Sequence, residues 1–253
     1  MEACTTALQS YLQAQGFTAL RLRAVLFDMD GVLFNSMPAH AEAWAQVMQE
    51  AGFTFSIEEA YMHEGQTAMG TIDEVSRAQR GRPATQEEVE ALYHKKTLCF
   101  NRFPQAQRMA GSLELLCKIK ECGLTPMVVT GSGTASLLTR INSNFPHIFA
   151  PNYIISGKSV KRGKPAPDPY LKALAVGGFE PWEAIVVENA PLGIRSAVAA
   201  RLFTIALNTG PLPDNVLWHE RPSLVLPSMP ALCQQWEEIY HTLTSPLTQS
   251  TTD

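Results

Sequence analysis

Short, nearly uninterrupted apolar runs recur along this chain, each closed by a turn or a polar cluster. They are AVLF (24–27), TPMVVT (125–130), NYIIS (152–156), AIVVEN (184–189), LFTIAL (202–207) and SLVLP (223–227). Segments of helical character separate them: SLELLCKIKECG (112–123), ASLLTRINSNF (135–145), PDPYLKALAVGG (167–178) and PLGIRSAVAAR (191–201). Runs too continuous to be half-exposed, alternating with helices, predict an α/β fold with a doubly wound parallel sheet covered on both faces. Ligands of such sheets bind beyond the carboxyl ends of the strands.

The rhythm breaks over 37–108, where the pattern is helical without convincing strands: PAHAEAWAQVMQEAGF, TAMGTIDEVSRAQRG and TQEEVEALYHKKTLCFNRF. Thr85 and Glu88, three apart, form the pattern of a capping box. An all-α insertion is expected here, leaving just after the first strand and rejoining at MAGSLELL, where it would serve as a lid. The expected organisation is a helical extension over 1–20, with Leu8, Tyr11 and Leu12 on one amphipathic face. The core follows over 21–36 and 109–245, the cap occupies 37–108, and a polar tail spans 246–253.

Composition narrows this picture. With 45% hydrophobic and 17% charged residues the chain reads as an ordinary globular protein. A net charge of −4, without a Lys/Arg run, argues against a nucleic-acid partner. No apolar run approaches the ~18 residues of a membrane span, and MEACTTALQSYLQAQGF lacks the pattern of a secretory signal. Five cysteines without a CxxC pair read as small buried hydrophobes in a reducing compartment. A cytoplasmic protein is expected, and no heptad seam is present.

The chemistry begins with FDMDG. Asp28 and Asp30 stand at a strand end, where paired carboxylates repel each other unless a cation joins them. Oxygen-only ligation suits Mg²⁺, whereas a helix cap or Asx turn is the bland alternative. The other strand ends decide between them. VVTGSG brings the Thr130 hydroxyl and the backbone N–H groups of Gly131 and Ser132, suited to an anionic oxygen. GKPAPDPY fixes the positive Lys164 on a rigid turn. IVVENAPLG adds Glu188 and Asn189 as oxygen donors to the same cation. Together they form a set for phosphoryl transfer. Asp28 is suited to attack phosphorus, Asp30 to move protons at the leaving oxygen and the attacking water, and Mg²⁺ to cancel the repulsion between carboxylate and phosphate.

DMDGV, VVTGSG, GKPAPDPY and VVENAPLGI, in this order with a helical insertion after the first, resemble the haloacid dehalogenase superfamily over roughly residues 22–240. The insertion is similar to that of its β-phosphoglucomutase-like branch. The resemblance implies Asp28 as nucleophile and Asp30 as acid/base with its backbone carbonyl on Mg²⁺. It also implies Thr130 and Lys164 as phosphate binders, and Glu188 and Asn189 near the metal.

Two departures qualify it. Asn189 stands where the family usually has Asp, which leaves the metal site one negative charge poorer. The lid stretch MHEGQTAMG has Gln66 and Ala68, with no arginine until Arg77, where the mutases hold a distal phosphate by an arginine. Glu64, in the same stretch, is either a solvated loop residue or a carboxylate that reaches the metal on lid closure and restores the missing charge. FNSMPAHAEAW…EEAYMHEG…VVENAPLG is similar to the inorganic-pyrophosphatase members of the branch, in which a lid glutamate and this asparagine share the metal. Hydrolysis of pyrophosphate or another small phosphate is therefore expected. A β-phosphoglucomutase, a broad sugar-phosphate phosphatase and a catalytically poor phosphate-binding protein are the alternatives.

Weaker candidates surround this set. Ser36 sits at the hinge, and His40 and Trp44 share one helix face. His40 either orients Asp30, as a histidine does in the mutase branch, or simply packs. His63 adjoins Glu64 and is a candidate substrate contact. Asn35 reads as structural. Lys95 and Lys96 read as a solvated face, with one able to reach a phosphate in a closed state. TGSGTAS has Ser136 where a dinucleotide loop needs a third glycine, and SGKSVK has Asn152 where a P-loop needs its first.

Overall fold

The structure is a computed structural model that describes residues 2–133 and 137–245. The expected tail and the start of the helix predicted over 135–145 lie outside them. The strands β1 (Ala24–Phe27), β2 (Thr125–Val129), β3 (Ile154–Ile155), β4 (Ala184–Glu188), β5 (Phe203–Leu207) and β6 (Leu224–Leu226) form a parallel sheet in the order β3-β2-β1-β4-β5-β6. Each predicted apolar run contains one of them, shorter by one or more residues except at β1.

The apolar runs are continuous because both sheet faces are covered. Val25, Phe27, Ile185 and Val187 pack into one core with residues of α1 (Glu2–Gln15), α6 (Ser112–Glu121), α7 (Leu137–Asn144) and α11 (Met229–Thr244). Ala24, Leu26 and Val186 face the other way, against α8 (Asp168–Gly177) and α9 (Pro191–Ala199). A side chain such as Phe27, fully buried, contributes roughly 1.5–3 kcal/mol by leaving water. α1 is joined to this core: Leu8 is buried, and the Tyr11 hydroxyl donates to the Arg201 carbonyl at 2.8 Å. α10 (Asp214–His219) packs beside α9. Cys4, Cys99 and Cys233 are buried as expected, but Cys117 is exposed on α6.

Successive strands run outward in both directions from β1 and β4, so the order of the sheet reverses between these two neighbours. Phe27 pairs with Val187 there, and the Asp28 N–H donates to the Val187 carbonyl at 3.0 Å. This reversal places a crevice at the carboxyl ends of β1 and β4.

The cap comprises α2 (Met37–Glu50), α3 (Ile57–Met62), α4 (Ala68–Arg80) and α5 (Gln86–Phe100) around its own apolar cluster, including Met48, Phe55, Ile72 and Leu92. Thr85 and Glu88 form the expected capping box. α3 starts from a second, Ser56 with Glu59. Its single short turn-and-a-half lacks the repeated apolar spacing by which longer helices announce themselves. The chain leaves and re-enters the core side by side, with Asn35 N–H donating to Gln107 O at 3.0 Å and Met109 N–H to Leu33 O at 2.8 Å.

Candidate active site

The crevice is built outward from a buried ammonium. Lys164 Nζ donates to Asp28 Oδ1 and Glu188 Oε1, both at 2.5 Å, and to the Val129 carbonyl at 3.1 Å. Glu188 Oε1 also accepts from the Tyr170 hydroxyl at 2.8 Å, and its Oε2 accepts from the Asn189 and Ala190 N–H groups at 2.9 and 3.2 Å. Both oxygens are thus filled by protein donors. Glu188, a candidate metal ligand, accepts from Lys164, and the short turn after β4 folds two amides back onto it. Burial pushes the Asp28 carboxyl up, with Glu188 and Asp30 adding to the effect and Lys164 opposing it.

Asp30 has a different setting. Ser36, at the N-cap of α2, uses its hydroxyl on Asp30 Oδ1 at 2.5 Å and makes no capping bond. His40 Nε2 lies 3.5 Å and Arg140 Nη1 3.7 Å from the same oxygen. Burial opposes the charged form of Asp30, but His40, Arg140 and Ser36 together outweigh it and hold the carboxyl below its ordinary range. His40 stacks on Phe100 and faces Lys96 Nζ at 2.7 Å through Nδ1. An ammonium donating to Nδ1 leaves the ring proton on Nε2, toward Asp30. His40 therefore packs on Phe100 with Nε2 toward Asp30. Lys96 corrects the solvated-face expectation: it is 7% exposed and lies over the Trp44 and Phe100 rings, whereas Lys95 is exposed. The helix turns the two neighbours to opposite sides, and the aromatic surface covers one of them. Burial lowers the Lys96 ammonium to about 8.

The lid is docked on the site. Glu64 is 7% exposed, and its Oε1 accepts from Asn189 Nδ2 at 2.9 Å. The solvated-loop alternative for Glu64 fails, and its carboxyl is pushed well up by burial and then by Asp28. Gly31, at φ +82°, makes the approach possible, since a Cβ there would collide with the Asn189 side chain. A Cβ at Gly131 would stand 2.7 Å from the Gly65 carbonyl oxygen, and Gln66 bridges to Lys164 through the backbone. His63 lines the same cavity, stacked on Phe55 and 3.2 Å from Gln66 Oε1. Thr130, Gly131 and Ser132 line it from the core, but the Thr130 hydroxyl already accepts from the Ser132 N–H at 3.0 Å. Asn35 is exposed at the hinge. Arg140 and Tyr170 escaped the sequence reading. Tyr170 closes the quoted GKPAPDPY, whereas Arg140 lies ten residues past Thr130, on a helix whose register decides its direction.

Among the described residues no group of three or more His, Cys, Asp or Glu side chains is arranged to hold a metal by itself. The fit to Mg²⁺ rests on a mixed set. Asn189 Oδ1 is buried without a hydrogen-bond partner, beside Glu64 and within the acidic cluster that pushes up Glu64 and Asp28. An orphaned acceptor among repelling carboxylates suits a hard cation with oxygen ligands.

The family model described as haloacid dehalogenase-like hydrolase matches residues 25–207. A solved structure named "Putative beta-phosphoglucomutase from Bacteroides vulgatus" is 54% identical, with a TM-score of 0.93, covering 96% of this chain and 99% of that one. "Hexitol phosphatase A" of Escherichia coli is 29% identical over 75% of this chain and 84% of its own length. "Putative pyrophosphatase PpaX" of Caldanaerobacter subterraneus is 25% identical over 83% of this chain and 92% of its own.

Proposed function

The chain belongs to the haloacid dehalogenase-like hydrolase family, and we propose that within it the protein hydrolyses inorganic pyrophosphate or another small phosphate, with Mg²⁺ bound. Its relatives make it an enzyme of the phosphatase and phosphosugar-mutase kind. Asp28 attacks phosphorus, forming a P–O bond as the bond to the leaving oxygen breaks and the phosphoryl group passes to the carboxylate. Asp30, a carboxylate in the free enzyme, takes a proton from the water that attacks the phosphorylated Asp28 and gives it to the leaving oxygen of the next substrate. That second attack breaks the aspartyl P–O bond, frees phosphate and restores Asp28. Lys164 balances charge at Asp28 throughout, positioned by Glu188 and Tyr170. Asp28, Asn189, Glu64 and the Asp30 backbone carbonyl would hold the metal. When bound, Mg²⁺ cancels the repulsion between carboxylates and the incoming phosphate.

The carrying observation is the contact between Glu64 and Asn189 at 2.9 Å. It brings a lid carboxylate to the position where the core side chain has lost its charge. A second reading, a sugar-phosphate phosphatase, draws support from the cavity itself. Its volume of about 710 Å³ between lid and core admits a hexose phosphate, so crowding by Glu64 does not exclude one. We place the enzyme in the cytoplasm, where its five unpaired cysteines stay reduced, acting as a monomer.

Phosphate release from a panel of pyrophosphate, hexose and triose phosphates, nucleotides and β-glucose 1-phosphate separates these readings. Preference for pyrophosphate, lost in Glu64→Ala, supports the proposal. Preference for hexose phosphates indifferent to Glu64 selects the second reading, and isomerisation of β-glucose 1-phosphate overturns both.

A further inference from the structure

Four buried polar side-chain atoms among the described residues have no hydrogen-bond partner: Ser112 Oγ, Trp236 Nε1, Asn189 Oδ1 and Arg140 Nη2. The last two belong to the active site and are opposite in kind. Asn189 Oδ1 is an acceptor among carboxylates, which a cation satisfies. Arg140 Nη2 is a donor on a permanently charged group, which an anion satisfies.

Arg140 projects from α7 of the core and lines the cavity together with Lys96 of the lid. Its guanidinium carbon lies over the Phe34 ring at 4.1 Å from the centroid. Its side chain is 25% exposed, and Nη1 stands 3.7 Å from Asp30 Oδ1, too far for a hydrogen bond. Asp30 Oδ1 is already held by Ser36 at 2.5 Å, so the carboxylate leaves the guanidinium's hydrogen-bonding capacity unspent. Lys96 differs, since His40 and two aromatic rings occupy its ammonium.

Asp30 also serves the leaving oxygen in the reaction above. A leaving group within reach of Asp30 therefore comes within reach of Arg140. An alcohol leaving from a monoester brings no charge there. The second phosphoryl group of a diphosphate brings charged oxygens in the spacing that a guanidinium fork receives in pairs.

We propose that Arg140 anchors the leaving phosphoryl group of a diphosphate substrate and selects diphosphates over monoesters. Anchoring of the distal phosphate thus comes from the core, where the lid stretch around Gln66 carries no arginine. The inference rests on the pyrophosphate reading. As Asp28 forms its P–O bond, the bridging P–O bond breaks, and the bridging oxygen departs with the second phosphoryl group as orthophosphate, protonated by the hydrogen that Asp30 took from the previous attacking water and bound by Arg140.

The test compares the wild type, Arg140→Ala and Arg140→Lys, each with Mg²⁺. Steady-state kinetics on pyrophosphate and on glycerol phosphate are paired with calorimetric binding of methylenediphosphonate and of inorganic phosphate. We expect Arg140→Ala to lower the pyrophosphate-to-monoester ratio of kcat/KM by about tenfold or more, mainly through KM. Methylenediphosphonate binding should weaken by at least as much relative to inorganic phosphate. Arg140→Lys, with its charge but no fork, should fall between. Equal losses on both substrates, in either variant, overturn the assignment of Arg140 and leave the pyrophosphate reading standing. A wild type that hydrolyses glycerol phosphate but no pyrophosphate overturns that reading and the inference with it.

Discussion

The two aspartates of FDMDG stand two residues apart and live in opposite surroundings. Around Asp28, the side-chain polar atoms of Lys164 and Glu188 are held by core groups, and the cluster is buried apart from the edge at which Asp28 lines the cavity. Around Asp30 the contacts come from hinge, lid and core together, several of them longer than hydrogen bonds, and Arg140 and Asn189 keep atoms in reserve. The first region is a fixed anchor for Asp28, the proposed nucleophile. The second is a mixed shell in which Asn189 Oδ1 and Arg140 Nη2 have no hydrogen-bond partner, and in the proposals above these atoms engage a cation and an anion.

The comparison breaks most severely at its anchor. Asp28→Asn should lose about three or more orders of magnitude in kcat on every substrate, since no other group carries the phosphoryl; stopped assays and acid-quenched aspartyl phosphate check it. Lys164→Ala leaves Asp28 and Glu188 buried without a counter-charge, and should cost roughly 3–5 kcal/mol in urea unfolding besides abolishing turnover. In the second region the effects are smaller and selective. Glu64→Ala should reduce pyrophosphate turnover by about 10–100-fold while leaving the thermal midpoint at or above that of the wild type, because it removes a buried carboxylate that burial disfavours.

Lys96 sharpens the contrast further. Burial lowers its ammonium to about 8 in the folded protein, against roughly 10.4 in an unfolded chain. Between these values the unfolded state binds more protons, so stability rises with pH across that window. In Lys96→Met this rise should disappear, a difference that denaturant titrations at pH 7.5 and 10 measure. Smallest of all, Ser56→Ala removes a cap remote from both regions. It should cost about 0.5–2 kcal/mol with kcat unchanged, read by thermal unfolding and a single assay.

The anchor was legible in the sequence because each of its members ends or follows a strand. Asp28, Lys164 and Glu188 needed only the alternation of apolar runs and helices to be brought together. The shell around Asp30 was legible in part. Glu64 and His40 were named but with two readings each, since a lid residue's surroundings depend on how the lid docks. Lys96 was misread because a lysine in a charged helix gives no sign that Trp44 and Phe100 will cover it. Arg140 was missed because a single charged residue between Thr139 and Ile141 in a short helix, LLTRINSN, carries no mark of what it faces. The place of Glu188 was legible, but its contacts to the Asn189 and Ala190 amides were not, since they belong to a turn that spacing does not reveal.

The central claim is that Glu64 returns from the lid the charge that Asn189 lacks in the core. Calorimetric Mg²⁺ binding to the wild type, Glu64→Gln and the double variant Glu64→Gln/Asn189→Asp tests it most directly. Glu64→Gln should weaken Mg²⁺ binding about 10–100-fold, and the added aspartate should recover most of the loss. Equal Mg²⁺ affinity in the wild type and Glu64→Gln would contradict it.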